Sequence, residues 1–94
     1  MKYSILITNK ALKELEKIQK SAPNEADRIL ALFEILKISD TPHLLPNAKK
    51  LQGYQKENYY RWRMGNYRVI GSIQHSELVI EIVKVATRQE AYKR

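Results

Sequence analysis

The chain has 94 residues, the length of one domain and too few for two, with 44% hydrophobic residues and no cysteine. This composition excludes wholesale disorder, disulfide bonds and thiolate metal sites, and it suits a reducing compartment. The formal net charge of +7 is uneven: residues 1–48 hold seven Lys/Arg against six Asp/Glu, and residues 49–94 hold ten against four. A basic excess confined to one half predicts a surface that faces a polyanion.

In chain order, residues 3–8 are apolar and partly β-branched and read as a buried opening strand. The start is too short for a signal-peptide core and no apolar run reaches membrane-spanning length, so a cytoplasmic protein with no membrane role is expected. Asn9 is placed to cap a helix with Ala11, Leu12, Leu15 and Ile18 on one stripe, opposite Lys10, Lys13, Glu14 and Lys17. Ser21, Ala22 and Pro23 interrupt that helix. Asn24, with Asp27 three residues on, is placed to start a second, bearing Ile29, Leu30, Phe33 and Leu36. It should end by Pro42, because the residue before a proline is pushed out of the helical region. So short a link predicts an antiparallel helical hairpin. Residues 41–58 read as a long connection, and three strands follow over 58–64, 67–73 and 78–85, with turns at Gly65-Asn66 and near His75-Ser76. The expected fold is one α+β domain over 1–94: an N-terminal strand, a helical hairpin and a three-stranded antiparallel meander, with the helices on one sheet face.

Alternation along these strands sorts the side chains. Tyr59, Arg61 and Arg63 share one face, and Tyr60, Trp62 and Met64 share the other, which suits a core. A two-residue turn at Gly65-Asn66 would pair Met64 with Tyr67 and Arg63 with Arg68, gathering Arg61, Arg63 and Arg68 on one face. Like charges so close are destabilising unless an anion neutralises them. The competing reading is a solvated face whose guanidiniums stack on Tyr59 or pair with Glu57, Glu77 or Glu81. Lys49 and Lys50 in the preceding loop and Lys84 and Lys93 farther on extend the basic character, with Tyr59 as an aromatic neighbour, so all five are candidate nucleic-acid contacts. Because the arginines lie opposite Trp62, folding is expected to survive the loss of any one. Arg88, past the last strand, would add a fourth cation. Tyr92 either supplies an aromatic face or phenol to the site, or caps the core beside a short terminal helix. His43 and His75 read as isolated loop or turn residues, and neither a metal nor a cofactor is expected.

The stretch Lys50-Leu51-Gln52-Gly53, followed by Tyr60-Arg61-Trp62-Arg63-Met64-Gly65-Asn66-Tyr67-Arg68-Val69-Ile70, resembles the RelE/ParE superfamily of toxins from toxin–antitoxin pairs. The end, Val83-Lys84-Val85-Ala86-Thr87-Arg88 through Tyr92, is similar to the family's closing strand with its arginine and later tyrosine. The resemblance implies a ribosome-dependent mRNA endoribonuclease, with Arg61, Arg63, Arg68, Arg88 and Tyr92 as its catalytic set. It implies metal-free attack of a ribose 2′-hydroxyl on the adjacent phosphate. The implied partners are the ribosome, mRNA and a cognate antitoxin with an acidic, amphipathic helix, in a heterotetramer that would bind operator DNA through the antitoxin. Arginines stand at 61 and 63, where some members carry lysine, and Thr87 stands where many carry histidine. A guanidinium stays protonated, so the proton acceptor is left among Tyr92, Glu57 and an rRNA group. A ParE-like inhibitor of DNA gyrase with the same fold, and a non-catalytic RNA-binding module, are the alternatives.

Overall fold

The computed structural model describes residues 2–52 and 58–91. Its elements are β1 (Ser4–Ile7), α1 (Asn9–Ser21), α2 (Pro23–Ile38), a single 3₁₀ turn (Pro42–Leu44), β2 (Ala48–Lys50), β3 (Tyr59–Met64), β4 (Tyr67–Gln74), β5 (Val79–Thr87) and α3 (Arg88–Ala91). The strands form one sheet in the order β1-β5-β4-β3-β2. The expected meander is its antiparallel β3-β4-β5 centre, and the expected two-layer α+β architecture is present. β1 adds to β5 in parallel, and β2 adds an antiparallel edge beyond β3.

The core lies between the helical hairpin and one face of the sheet. Leu15, Ile18, Ile29, Leu32, Phe33 and Leu36 from the helices meet Trp62, Val69, Ile73, Ile80, Ile82 and Val85 from the strands. Trp62 is wholly buried, and its indole N–H donates to the Pro42 carbonyl at 3.0 Å, so the 3₁₀ turn supplies the one polar contact that the ring requires. Three expectations need correction here. β1 is an edge strand and only half buried: Ile5 and Ile7 pack against the core, while Leu6, paired with Glu81 on the sheet face away from the helices, is 53% exposed. Leu12 and Leu30, expected on the apolar stripes, remain partly exposed, while Ala26 and Leu32 take buried places on α2. His43 and His75 are not isolated from one another: their rings lie 5.2 Å apart, edge to face, and Nδ1 of His75 is 3.2 Å from the Tyr3 hydroxyl.

The helix starts also differ. Thr8, not Asn9, caps α1, its hydroxyl accepting from the Ala11 N–H at 3.2 Å. α2 begins at Pro23, whose fixed φ suits a first helical position, and it uses no side-chain cap from Asn24. Thr8→Ala is therefore expected to cost about 1 kcal/mol and Asn9→Ala much less, as thermal melts of the two variants would show.

β5 is longer than its outer neighbour. β1 pairs only with Val79 to Ile82, which leaves the far end of β5 without a strand on that side. The Glu14 carboxylate of α1 accepts from the Val85 N–H at 2.9 Å and so covers part of that edge. Between β4 and β5 the register shifts at Ile70/Gly71. A Cβ on Gly71 would sit 2.8 Å from the Glu81 carbonyl oxygen, which makes glycine the residue that permits this close approach. No helix among the described residues is long and apolar enough to cross a membrane.

Candidate nucleic-acid interface

The turn between β3 and β4 sets the geometry of the site. Gly65 has φ of 58° while Asn66 keeps a negative φ, the sign pattern of a type II′ turn, which matches the twist of a two-residue hairpin. The register that follows is the one expected: Met64 opposite Tyr67 and Arg63 opposite Arg68. Paired residues share a face, so three rows lie on the side of the sheet away from the helices. The first is Arg63, Arg68 and Ala86. The second is Lys49, Arg61, Ile70 and Lys84. The third is Tyr59, Ser72 and Glu81. Cations therefore dominate the two rows nearest the turn, and the single carboxylate of these rows stands in the third.

The three central arginines are held differently. Arg63 is exposed. Arg61 is partly buried, and its Nη1 donates to the Asn47 backbone carbonyl at 3.0 Å, while its Nε is buried without a hydrogen-bond acceptor among the described residues. Arg68 is only 7% exposed. Its Nη1 donates to the carbonyls of Gly65 at 2.9 Å and Tyr67 at 3.0 Å, so the guanidinium folds over the hairpin turn. This corrects the expectation that all three arginines are dispensable for folding, since Arg68 ties the turn together. Among the described residues none of Arg61, Arg63, Arg68 and Arg88 is ion-paired with a carboxylate, so Glu77 and Glu81 do not neutralise the cluster.

Arg88 opens α3 at the same end of the sheet, its N–H donating to the Asn66 carbonyl at 2.9 Å. Its side chain is exposed. Thr87 precedes it, and the Thr87 hydroxyl donates to Glu90 Oε1 at 3.1 Å, an N-terminal contact of the short helix. Lys49 lies in the arginine row, whereas Lys50 pairs with Tyr60 and so occupies the opposite face at the sheet edge. Tyr92, Lys93 and Glu57 lie outside the described residues. Sequence reasoning missed Asn47. Its carbonyl receives the Arg61 guanidinium, and its Nδ2 donates to the Arg63 carbonyl at 3.0 Å, so one residue anchors the Arg61 side chain and the Arg63 backbone. No local pattern marks it, since its role depends on the pairing of β2 with β3.

Together these features define a small α+β protein whose basic sheet face is built on a central antiparallel hairpin. A family model described as "ParE toxin of type II toxin-antitoxin system, parDE" matches residues 5–92. The protein named "Putative toxin RelE1" of Methanocaldococcus jannaschii is 30% identical over 93 residues, which is 99% of this chain and 98% of that protein. RelE in the archaeal RelE–RelB complex from Pyrococcus horikoshii superposes with a TM-score of 0.75 at 32% identity, covering 97% of this chain and all of that one. The RelB–RelE antitoxin–toxin complex from Methanococcus jannaschii gives 0.73 at 28% identity, covering 93% and 94%. The chain belongs to the RelE/ParE toxins of type II toxin–antitoxin systems, and within them it is RelE-like.

Proposed function

We propose that this toxin is a metal-independent endoribonuclease that cuts mRNA on the ribosome and is neutralised by a cognate antitoxin. The observation that carries this reading is the Arg63–Arg68 cross-strand pair, with Arg61 two residues along on the same face and no carboxylate in either row. Directly opposed like charges are destabilising in a sheet, and a bound phosphate removes that repulsion. In the proposed reaction the ribose 2′-oxygen gives its proton to Tyr92, Glu57 or an rRNA group and attacks the adjacent phosphorus. The bond from phosphorus to the 5′-oxygen breaks, leaving a 2′,3′-cyclic phosphate, and the departing oxygen takes up a proton. Arg61 and Arg63 stabilise the extra negative charge on the phosphoryl oxygens, which is where fixed donors act most strongly in a transition state. Arg88, at the same end of the sheet, stands near the departing oxygen. Arg68 holds the turn that sets the spacing of the other two.

The proposed partners are mRNA in the ribosomal decoding site and an acidic antitoxin. The P. horikoshii and M. jannaschii relatives were each solved with RelB, which supports the second. An antitoxin that neutralises the arginine face should bind more weakly as salt rises, and its complex would contact operator DNA through the antitoxin. The ParE description of the family model motivates a second reading, in which the target is DNA gyrase.

Transcript ends mapped after induction without antitoxin separate these readings. The ribonuclease yields cuts within translated frames that disappear when initiation is blocked. Intact transcripts with DNA damage would instead establish the gyrase reading, and RNA association without cuts would leave a binding module. Tyr92 is proposed to stack on the substrate or position a proton. Tyr92→Ala should lower cleavage by roughly ten- to a hundredfold with little change in melting temperature. Tyr92→Phe should keep most activity if the ring stacks, and should match alanine if the phenol acts.

A further inference from the structure

The arginine face does not end at the sheet. A cleft of about 600 Å³ opens at the β2 margin, between the start of β2, the β3–β4 turn and α2. Its lining includes Arg28, Asn47, Lys49, Arg61, Arg63 and Gly65. Four cations thus converge from three separate segments, and among the described residues that line the cleft none is a carboxylate. Arg28 belongs to α2, a helix that chain order assigns to the core layer. Its guanidinium nevertheless reaches the turn, together with its ion-pair partner: a Cβ on Gly65 would lie 3.4 Å from Arg28 Nη1 and 3.2 Å from Glu25 Oε2. Its ion pair with Glu25 is long at 3.7 Å, and the Arg28 side chain is 57% exposed.

A second, independent feature points to an anion. Arg61 Nε is buried and has no acceptor among the described residues, although Nη1 of the same guanidinium is anchored on the Asn47 carbonyl. A buried donor without a partner is costly, and the anchored Nη1 keeps the group from turning toward solvent. Arg61 lines the cleft, and a slight shift of its side chain would let an oxygen of a bound anion supply the acceptor. The volume suits a phosphodiester with its sugar and is far larger than a single ion needs.

We infer that this cleft seats an RNA phosphodiester next to the one that is cleaved, with Arg28 as its outer contact. The inference rests on the ribonuclease reading. The RNA backbone would cross from the Arg63–Arg68 row over the edge of β2 toward α2, and Arg28 would bind it without touching the reacting atoms.

The test compares Arg28→Ala, Arg28→Lys and Arg63→Ala in the full chain, on ribosomes programmed with mRNA. Affinity is read with an mRNA carrying a 2′-deoxyribose at the cleaved position, and single-turnover cleavage is read with the all-ribose message. Arg28→Ala is expected to weaken binding about tenfold, to lower the slope of log affinity against log salt by about one, and to leave single-turnover cleavage at saturation unchanged. Arg28→Lys should retain the salt slope, since the charge remains. A slope equal to that of the unmodified chain, with Arg63→Ala impaired, would overturn the cleft proposal alone. Wild-type cleavage by Arg63→Ala would instead sink the ribonuclease reading beneath it. Weakened antitoxin binding by Arg28→Ala with unaltered RNA affinity would make the cleft a protein-binding site, and this too overturns the proposal.

Discussion

Arg63→Ala is expected to lower mRNA cleavage about a hundredfold, the usual cost of removing one donor to transition-state charge, with the melting temperature almost unmoved. The asymmetry follows from where the side chain sits. Arg63 is exposed, and its place in β3 is maintained by the pairing of Met64 with Tyr67 and by the Asn47 Nδ2 bond to the Arg63 carbonyl. Neither contact uses the guanidinium. Removing one charge from the Arg63–Arg68 pair also relieves repulsion in the free toxin, so a small gain in stability is the expected companion of the lost activity. Single-turnover cleavage and a thermal melt on the same preparation measure both. If cleavage persists near its original rate, the arginine face does not perform the chemistry.

Arg68→Ala should behave otherwise and lose on both counts. The Arg68 guanidinium is buried, and two carbonyls at the hairpin turn depend on it. Hydrogen bonds from a charged group contribute roughly 1.5–3 kcal/mol, so a loss of about 2 kcal/mol in unfolding free energy is expected. The turn it braces positions Arg63 on one side and, through the Asn66 carbonyl, the start of α3 with Arg88 on the other. Cleavage should therefore fall further than the folded fraction alone accounts for. Arg68→Lys keeps the charge but not the planar fork that spans two acceptors, and it should recover part of the activity and less of the stability. Denaturant titrations combined with cleavage per folded molecule would measure the two losses separately. Unchanged stability in Arg68→Ala would show that the turn holds without it.

Much of the sheet face was legible because two local rules suffice for it. A two-residue turn with glycine in its first position pins the hairpin register, and a period of two then assigns every side chain of β3 and β4 to a face. Arg61, Arg63 and Arg68 could be grouped, and Trp62 sent to the core, without any knowledge of distant residues. The helical stripes were legible in the same way, though only in part. Leu12 and Leu30 fit the helical period but lie toward its margin, and how far the sheet extends beneath each helix decides whether such residues are covered.

The tertiary structure decided what depends on contacts distant in the chain. Ala48, Lys49 and Lys50 have neither alternation nor β-branching, and they form a strand because β3 offers them an open edge. That pairing brings Asn47 to the arginines and separates Lys49 from Lys50 by face. β1 joins β5 across most of the chain, and so close a parallel neighbour could not be read from either segment alone. The same holds for His43 and His75, drawn together from a 3₁₀ turn and a hairpin turn, and for Arg28, carried by a core helix to the edge of the basic face. Local periodicity determined the chemical character of each element and which side it shows. Burial and partnership were decided by the packing of elements on one another, because whether a guanidinium meets water, a carbonyl or an empty cleft depends on segments dozens of residues away.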